Sequence, residues 1–175
     1  MAIRAIERIA QPAPRERMAD HDVLLAHRVV EMISRAREGC RNQPETGGIL
    51  IGSLRGPHIE CADFTTAGPS DVHGIYHFTL QDRRHQRTAE EAWSKSENTV
   101  SFIGTWHTHP SGRPAPSSTD IASWMKLVRT AKHPMLFLVV APNSWAGYRI
   151  TPETSRGGVR PLRIVEQGLP GIVIR

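Results

Sequence analysis

Cysteine is scarce in this chain: Cys40 and Cys61 are the only two among 175 residues. Neither belongs to a C-x-x-C pair, so the expectation is reduced, packed thiols in a cytoplasmic protein, with a disulfide between them the minor reading. Long apolar runs are missing too. Nothing approaches the roughly 20 residues a membrane-spanning helix needs. Arg4, Glu7, Arg8 and Gln11 interrupt the first stretch, so a secretory signal is not expected. Blocks of one charge are also absent. Lys and Arg number 22 against 17 Asp and Glu, a net +5, but they are scattered, and no basic block is interleaved with aromatics. That favours a solvated basic surface over a nucleic-acid partner. There is no internal repeat, no low-complexity segment and no convincing linker. With 39% hydrophobic and 22% charged residues, the chain fits one soluble domain with a proper core.

The pattern along the chain alternates between strand and helix signals. Residues 1–17 read as an N-terminal arm broken by Pro12 and Pro14, and residues 18–175 as the domain. From Asp20 the apolar positions Val23, Leu24, Ala26, Val30 and Ile33 recur near a helical period, with Gly39 as the stop. Thr46 to Leu54 predicts a buried strand, and His58 to Thr65 its hairpin partner across Arg55-Gly-Pro57. Thr66 to Phe78 is rich in Gly, Pro, Ser, Asp and His and reads as a loop. Leu80 to Ser96 predicts a polar helix, Thr99 to Trp106 a strand, and Ser118 to Ala131 a helix. Met135 to Val140 is a strongly apolar central strand. Trp145 to Thr151 and Arg160 to Val165 read as further strands, and Gly171 to Ile174 as an edge strand. One α/β domain is the simplest account. Trp93, Trp106 and Trp124 read as core, and Trp145 as core with a substrate platform as its alternative.

The chemistry concentrates in Thr105-Trp-His-Thr-His-Pro-Ser-Gly-Arg-Pro-Ala-Pro-Ser-Ser-Thr-Asp120. On a strand, His107 and His109 point to one face, because side chains alternate with period two. Pro110, Gly112, Pro114 and Pro116 break the strand and force a tight connection. Ser117 reads as a helix N-cap with Asp120 in the first turn. A strand end and a helix start then bring His107, His109 and Asp120 together. Two imidazole nitrogens and a carboxylate suit Zn2+, and three protein ligands leave the fourth position open, as in a catalytic site. Amidohydrolase barrels also use His-x-His but need about 250 residues. Cupin-like barrels would need a further His on a later strand, where only His133 follows. His73 and His77, close together in the 66–78 loop, read as solvated or substrate-facing rather than as a second metal site.

The set His107-Thr-His109-Pro110 and Ser117-x-x-Asp120, with Glu45-Thr-Gly-Gly-Ile-Leu-Ile-Gly52 upstream, resembles the JAB1/MPN/Mov34 metalloproteases, the JAMM superfamily. The likeness spans Asp20 to Thr151. It is nearest to the stand-alone JAB peptidases of bacterial operons that also encode E1-like and E2-like enzymes, including antiphage systems; Asp82-Arg-Arg-His85 to Trp93 looks similar to that branch. The resemblance implies a curved mixed β-sheet flanked by helices, a cytidine deaminase-like architecture. It implies zinc on His107, His109 and Asp120, Glu45 as general base and Ser117 stabilising the oxyanion. The function it implies is cleavage of the amide bond after the C-terminal tail of a ubiquitin-like protein. The 66–78 loop is expected to shape the groove for that tail, which would add as a strand at a sheet edge. Two other readings stay open: a non-catalytic MPN scaffold, and a DNA-associated factor of RadC type.

Overall fold

Every residue of Met135–Ala141 is buried. The computed structural model describes residues 21–110, 112–168 and 171–175. The expected arm at 1–17 lies outside them. In chain order the elements are β1 (Val23–Ala26), α1 (His27–Gly39), β2 (Gly47–Arg55), β3 (His58–Phe64), β4 (Val72–His73), β5 (Phe78–Thr79), α2 (Arg83–Lys95), β6 (Ser101–Thr108), α3 (Ser118–Ala131), β7 (Met135–Ala141), β8 (Ser144–Ile150), β9 (Ile164–Gln167) and β10 (Gly171–Ile174). Eight strands form one mixed sheet in the order β8-β7-β6-β2-β3-β1-β10-β9, and β4 and β5 form a separate two-stranded ribbon. The pairs β6/β7 and β1/β3 are parallel, and the others are antiparallel.

Both faces of the sheet are covered, which is why β7 is apolar without alternation. Leu136, Leu138 and Val140 pack on one side with Val29, Met32 and Ile33 of α1. That i, i+3, i+4 triplet is the stripe an amphipathic helix turns to a core. Met135, Phe137 and Val139 pack on the other side with Trp124, Met125 and Val128 of α3. Each fully buried large side chain contributes roughly 1.5–3 kcal/mol. Trp124 stacks on Phe137 with ring centroids 4.7 Å apart. The fold is therefore the expected α/β domain, a curved mixed sheet flanked by helices.

Several boundaries differ from the sequence reading. Val23–Ala26 is a strand, and the helix starts only at His27. Four residues are too few to separate a period of two from one of 3.6, and pairing with β3 and β10 on both sides decides the matter. The C-terminal strand β10 is not an edge; it lies between β1 and β9, and β9 is the edge. β9 itself begins at Ile164, later than Arg160. The 66–78 loop contains β4 and the start of the ribbon with β5. Trp106 and Trp124 are buried as expected, whereas Trp93 is 46% exposed on α2. Cys40 and Cys61 are free, buried thiols. No helix among the described residues is long and apolar enough to cross a membrane.

Candidate metal centre

A bulge in β6 sets the direction of its last residues. Leu50 of β2 pairs with Gly104 but Ile51 pairs with Phe102, so β6 carries an extra residue there. The phase of side-chain alternation shifts across it. Ile103 and Trp106, three positions apart, both face the α1 side, while Phe102 lies on the α3 side. His107 is therefore delivered to the α3 side, with its ring 6.2 Å from that of Trp124. Gly104 permits the bulge: its φ is +155°, and a Cβ there would fall 1.6 Å from the Leu136 carbonyl oxygen.

The site lies beyond the carboxyl ends of the parallel strands β6 and β7, where α/β sheets commonly bind ligands. His107, next to last in β6, sits opposite Gly47 and Val139, and the His109 amide donates to the Val140 carbonyl at 2.8 Å. His107 Nε2 and His109 Nε2 stand 3.0 Å apart. Asp120 approaches from the first turn of α3, with Oδ1 3.5 Å from His107 Nε2 and Oδ2 3.5 Å from His109 Nε2. One donor atom from each of these residues fits within a 4.8 Å cluster. A tetrahedral ion with bonds of about 2.0–2.1 Å sets its ligand atoms about 3.3 Å apart, so the spacing fits zinc. The arrangement of His109 is also fixed from behind, by Nδ1 lying 3.4 Å from the Arg113 carbonyl oxygen.

Ser117 caps α3 in a reciprocal box. Its Oγ accepts from the Asp120 amide at 3.1 Å and donates to Asp120 Oδ2 at 2.6 Å, and its amide donates to the same oxygen at 2.7 Å. Burial opposes charge on Asp120, but the His107 and His109 rings and Ser117 outweigh it and hold its carboxyl far below the usual range. For His109, burial works against the charged form, yet the Asp120 hydrogen bond and the fields of Glu45 and Asp120 raise its pKa.

Glu45 reaches the cluster from the segment before β2, with Oε1 4.0 Å from His109 Nε2. It is only 7% exposed. Burial pushes its carboxyl above the ordinary value, against the pull of His109 and His107. Thus the structure brings Glu45, His107, His109, Ser117 and Asp120 together. Glu45, His107, Ser117 and Asp120 border a cavity of about 510 Å³ shared with Tyr76, His77 and Trp124, and His109 lines an adjoining one of about 180 Å³ with Glu45, Ser117 and Asp120. A separate cavity, about 480 Å³, lies beside α1 and shares none of those residues.

Some participants were not singled out from sequence. Thr108 braces the Glu45 segment: its Oγ1 accepts from the Thr46 amide at 3.0 Å, and its amide donates to the Thr46 carbonyl at 2.8 Å. Tyr76, 82% exposed, overhangs the cavity, where the sequence showed only a loop. His73 is not paired with His77 in a second cluster; its Nδ1 lies 2.9 Å from the Glu45 carbonyl oxygen. Trp145 packs against the α1-side core, the opposite sheet face from His107.

A curved α/β domain with a His-x-His strand end facing a helix-borne aspartate and a buried glutamate defines a class, the JAB/MPN fold. Residues 26–154 match the family described as prokaryotic homologs of the JAB domain, and the chain belongs to that family. It is similar to proteins named CD-NTase/cGAS isopeptidase. The one from Vibrio cholerae serotype O1 is 33% identical, covering 71% of this chain and 80% of the relative. One from Escherichia coli is 31% identical, with 75% and 84% covered. A solution structure from Desulfitobacterium hafniense shares the fold, with a TM-score of 0.55 at 21% identity over 79% of this chain and 88% of that one.

Proposed function

We propose that this protein is a zinc-dependent isopeptidase. It hydrolyses the amide bond joining the C-terminal tail of one protein to an amine of another. The observation that carries the reading is a buried glutamate with a raised pKa, Oε1 4.0 Å from a His/His/Asp cluster that opens onto a cavity. His107, His109 and Asp120 would hold the ion. Zinc bound there supplies Lewis acidity and brings the pKa of a water to about 7. Glu45 Oε1 takes the proton of the attacking water and passes it to the leaving amine, so hydrolysis ends with a free carboxylate and a free amine. Its raised pKa suits both halves of that transfer. Ser117 Oγ is the hydroxyl available to meet the oxyanion that develops on the carbonyl.

The relatives' name, CD-NTase/cGAS isopeptidase, supports a conjugated CD-NTase as a substrate whose tail the site takes. A ubiquitin-like protein presents the same chemistry at the scissile bond. In either case, ATP-dependent conjugation, of the kind E1-like and E2-like enzymes perform, is the reaction class that supplies this substrate. The tail would lie along the cavity beneath Tyr76. The intact donor set and the neighbouring base favour catalysis over a scaffold role, and the scattered basic residues favour a protein substrate over DNA. To test the reading, the purified protein is incubated with a CD-NTase conjugate made by E1-like and E2-like enzymes. The expected result is release of both partners, abolished in Glu45→Ala and His107→Ala. Cleavage that survives either substitution would overturn the assigned roles.

A further inference from the structure

Glu45 lies outside the regular ladders. Residues 44–46 precede β2 and belong to no strand, so the backbone around this carboxylate depends on other partners. The Glu45 amide donates to the Gly74 carbonyl at 2.8 Å, and the Glu45 carbonyl oxygen faces His73 Nδ1 at 2.9 Å. Both partners belong to the β4–β5 ribbon and its turn. The turn is closed by the Gly74 amide on the His77 carbonyl at 2.8 Å. Phe78 packs so tightly over β2 that a Cβ at Gly47 would come within 2.8 Å of its ring. The ribbon thus holds the main chain of the proposed base on one side, while Thr108 holds the next residue on the other.

A ribbon with two-residue strands is not stable alone. Its base is tied by a buried knot. Asp71, whose side chain is wholly buried, accepts from the Gly68 amide at 2.6 Å, the Gln81 amide at 2.6 Å and the Asp82 amide at 2.8 Å. One carboxylate therefore gathers both ends of the long connection between β3 and α2. His85, buried in the first turn of α2, lies with Nε2 2.8 Å from Asp71 Oδ2 and Nδ1 2.5 Å from Thr65 Oγ1. The carboxylate only accepts, so Nε2 carries a proton, and Nδ1 shares a hydrogen bond with the Thr65 hydroxyl. Thr65 Oγ1 in turn accepts from the Ile49 amide at 3.0 Å, and the Thr65 carbonyl accepts from Trp106 Nε1 at 2.8 Å. The knot is therefore fastened to β2 just past Glu45 and to β6 next to His107.

We infer that Asp71, His85 and Thr65 are positioning residues for Glu45, acting through the β4–β5 ribbon. The inference rests on Glu45 being the base. None of the three residues borders the cavity at the metal centre. Their effect is to fix the carboxylate, and a misplacement of about 1 Å costs on the order of 100-fold in rate.

Three variants and three readouts test it. His85→Ala removes the link, and His85→Gln keeps a donor for Asp71. Thr65→Val leaves the Asp71–His85 pair intact and removes the hydroxyl through which that pair is fastened, while the Thr65 amide still donates to the Ile49 carbonyl, in case His85→Ala does not fold. Site-resolved amide exchange is measured with kcat and bound zinc. In His85→Ala the Glu45 and Gly74 amides are expected to exchange at least 10-fold faster, with β7 amides unchanged. A fall of at least 10-fold in kcat at full zinc occupancy should accompany this, and His85→Gln should recover both. Unchanged exchange at Glu45, or equal acceleration in β7, overturns the inference. If the wild-type protein cleaves no conjugate, the proposed function fails, but exchange at Glu45 still reports whether the knot holds it.

Discussion

Ser117 caps α3 and is also the proposed oxyanion donor, and substituting it tells the two duties apart. As N-cap of α3, its hydroxyl accepts from the Asp120 amide at 3.1 Å. Losing that cap to Ala costs about 1 kcal/mol, whereas Gly at the same position costs only a few tenths. For a chain of this length, 1 kcal/mol lowers Tm by about 2–4 °C. As oxyanion donor, the same hydroxyl would be worth about 100- to 1000-fold in kcat, roughly 2.7–4 kcal/mol. The chemistry therefore outweighs the cap by a wide margin. In the structure its hydroxyl donates to Asp120 Oδ2 at 2.6 Å, so an oxyanion role would require it to turn to the carbonyl. Asp120 keeps the Ser117 amide, at 2.7 Å, in either variant. Ser117→Ala and Ser117→Gly should therefore lose the same large factor in kcat while differing in Tm. Zinc content and thermal melts complete the assay. If Ser117→Gly keeps kcat within about threefold of wild type, far short of the loss of an oxyanion donor, the hydroxyl is only a cap.

Three further outcomes are expected. Zinc that binds only the folded chain at 100 times its Kd stabilises by about 2.7 kcal/mol, so Tm should rise about 5–11 °C over the chelated protein. A melt indifferent to zinc would sink the metal centre. Burial alone would raise the Asp71 pKa, but the Gly68, Asp82 and Gln81 amides and His85 outweigh it, and the net shift is downward. Its stabilising contribution is therefore complete above its unfolded pKa of about 3.9 and is lost as pH falls below it. Asp71→Asn should flatten the acid limb of Tm against pH in that range; an unchanged acid limb refutes the assignment. Gly104→Ala drives a Cβ into the Leu136 carbonyl oxygen and should abolish soluble folded protein, as read by circular dichroism. A normally folded Gly104→Ala would mean that the bulge does not orient His107.

The strand at Met135–Ala141 was visible as an unbroken apolar run, because a strand covered on both faces has no polar positions, although it lies beside the edge strand β8 and not in the middle of the sheet. The α3 helix was bounded correctly at Ser118 and Ala131 because its cap is a local hydrogen-bonding pattern. His107 and His109 stood out for the same reason: ligand chemistry and spacing are written within a few consecutive residues. Glu45 was different. Its chemistry is ordinary, and only likeness to a family singled it out beforehand. What brings it to His109 is the pairing of β2 with β6, a long-range contact that no local pattern encodes. The strand at Val23–Ala26 was hidden similarly, since its neighbours β3 and β10 come from distant parts of the chain. The orientation of His107 looked like simple alternation, yet it depends on a bulge in the pairing of β6 with β2. His85 gave no signal of its role, because a histidine becomes a tie only when Asp71 and Thr65 fold around it. Local chemistry is carried by neighbours in sequence, and convergence is carried by sheet pairing, so the kinds of group were legible early and their meeting point was not.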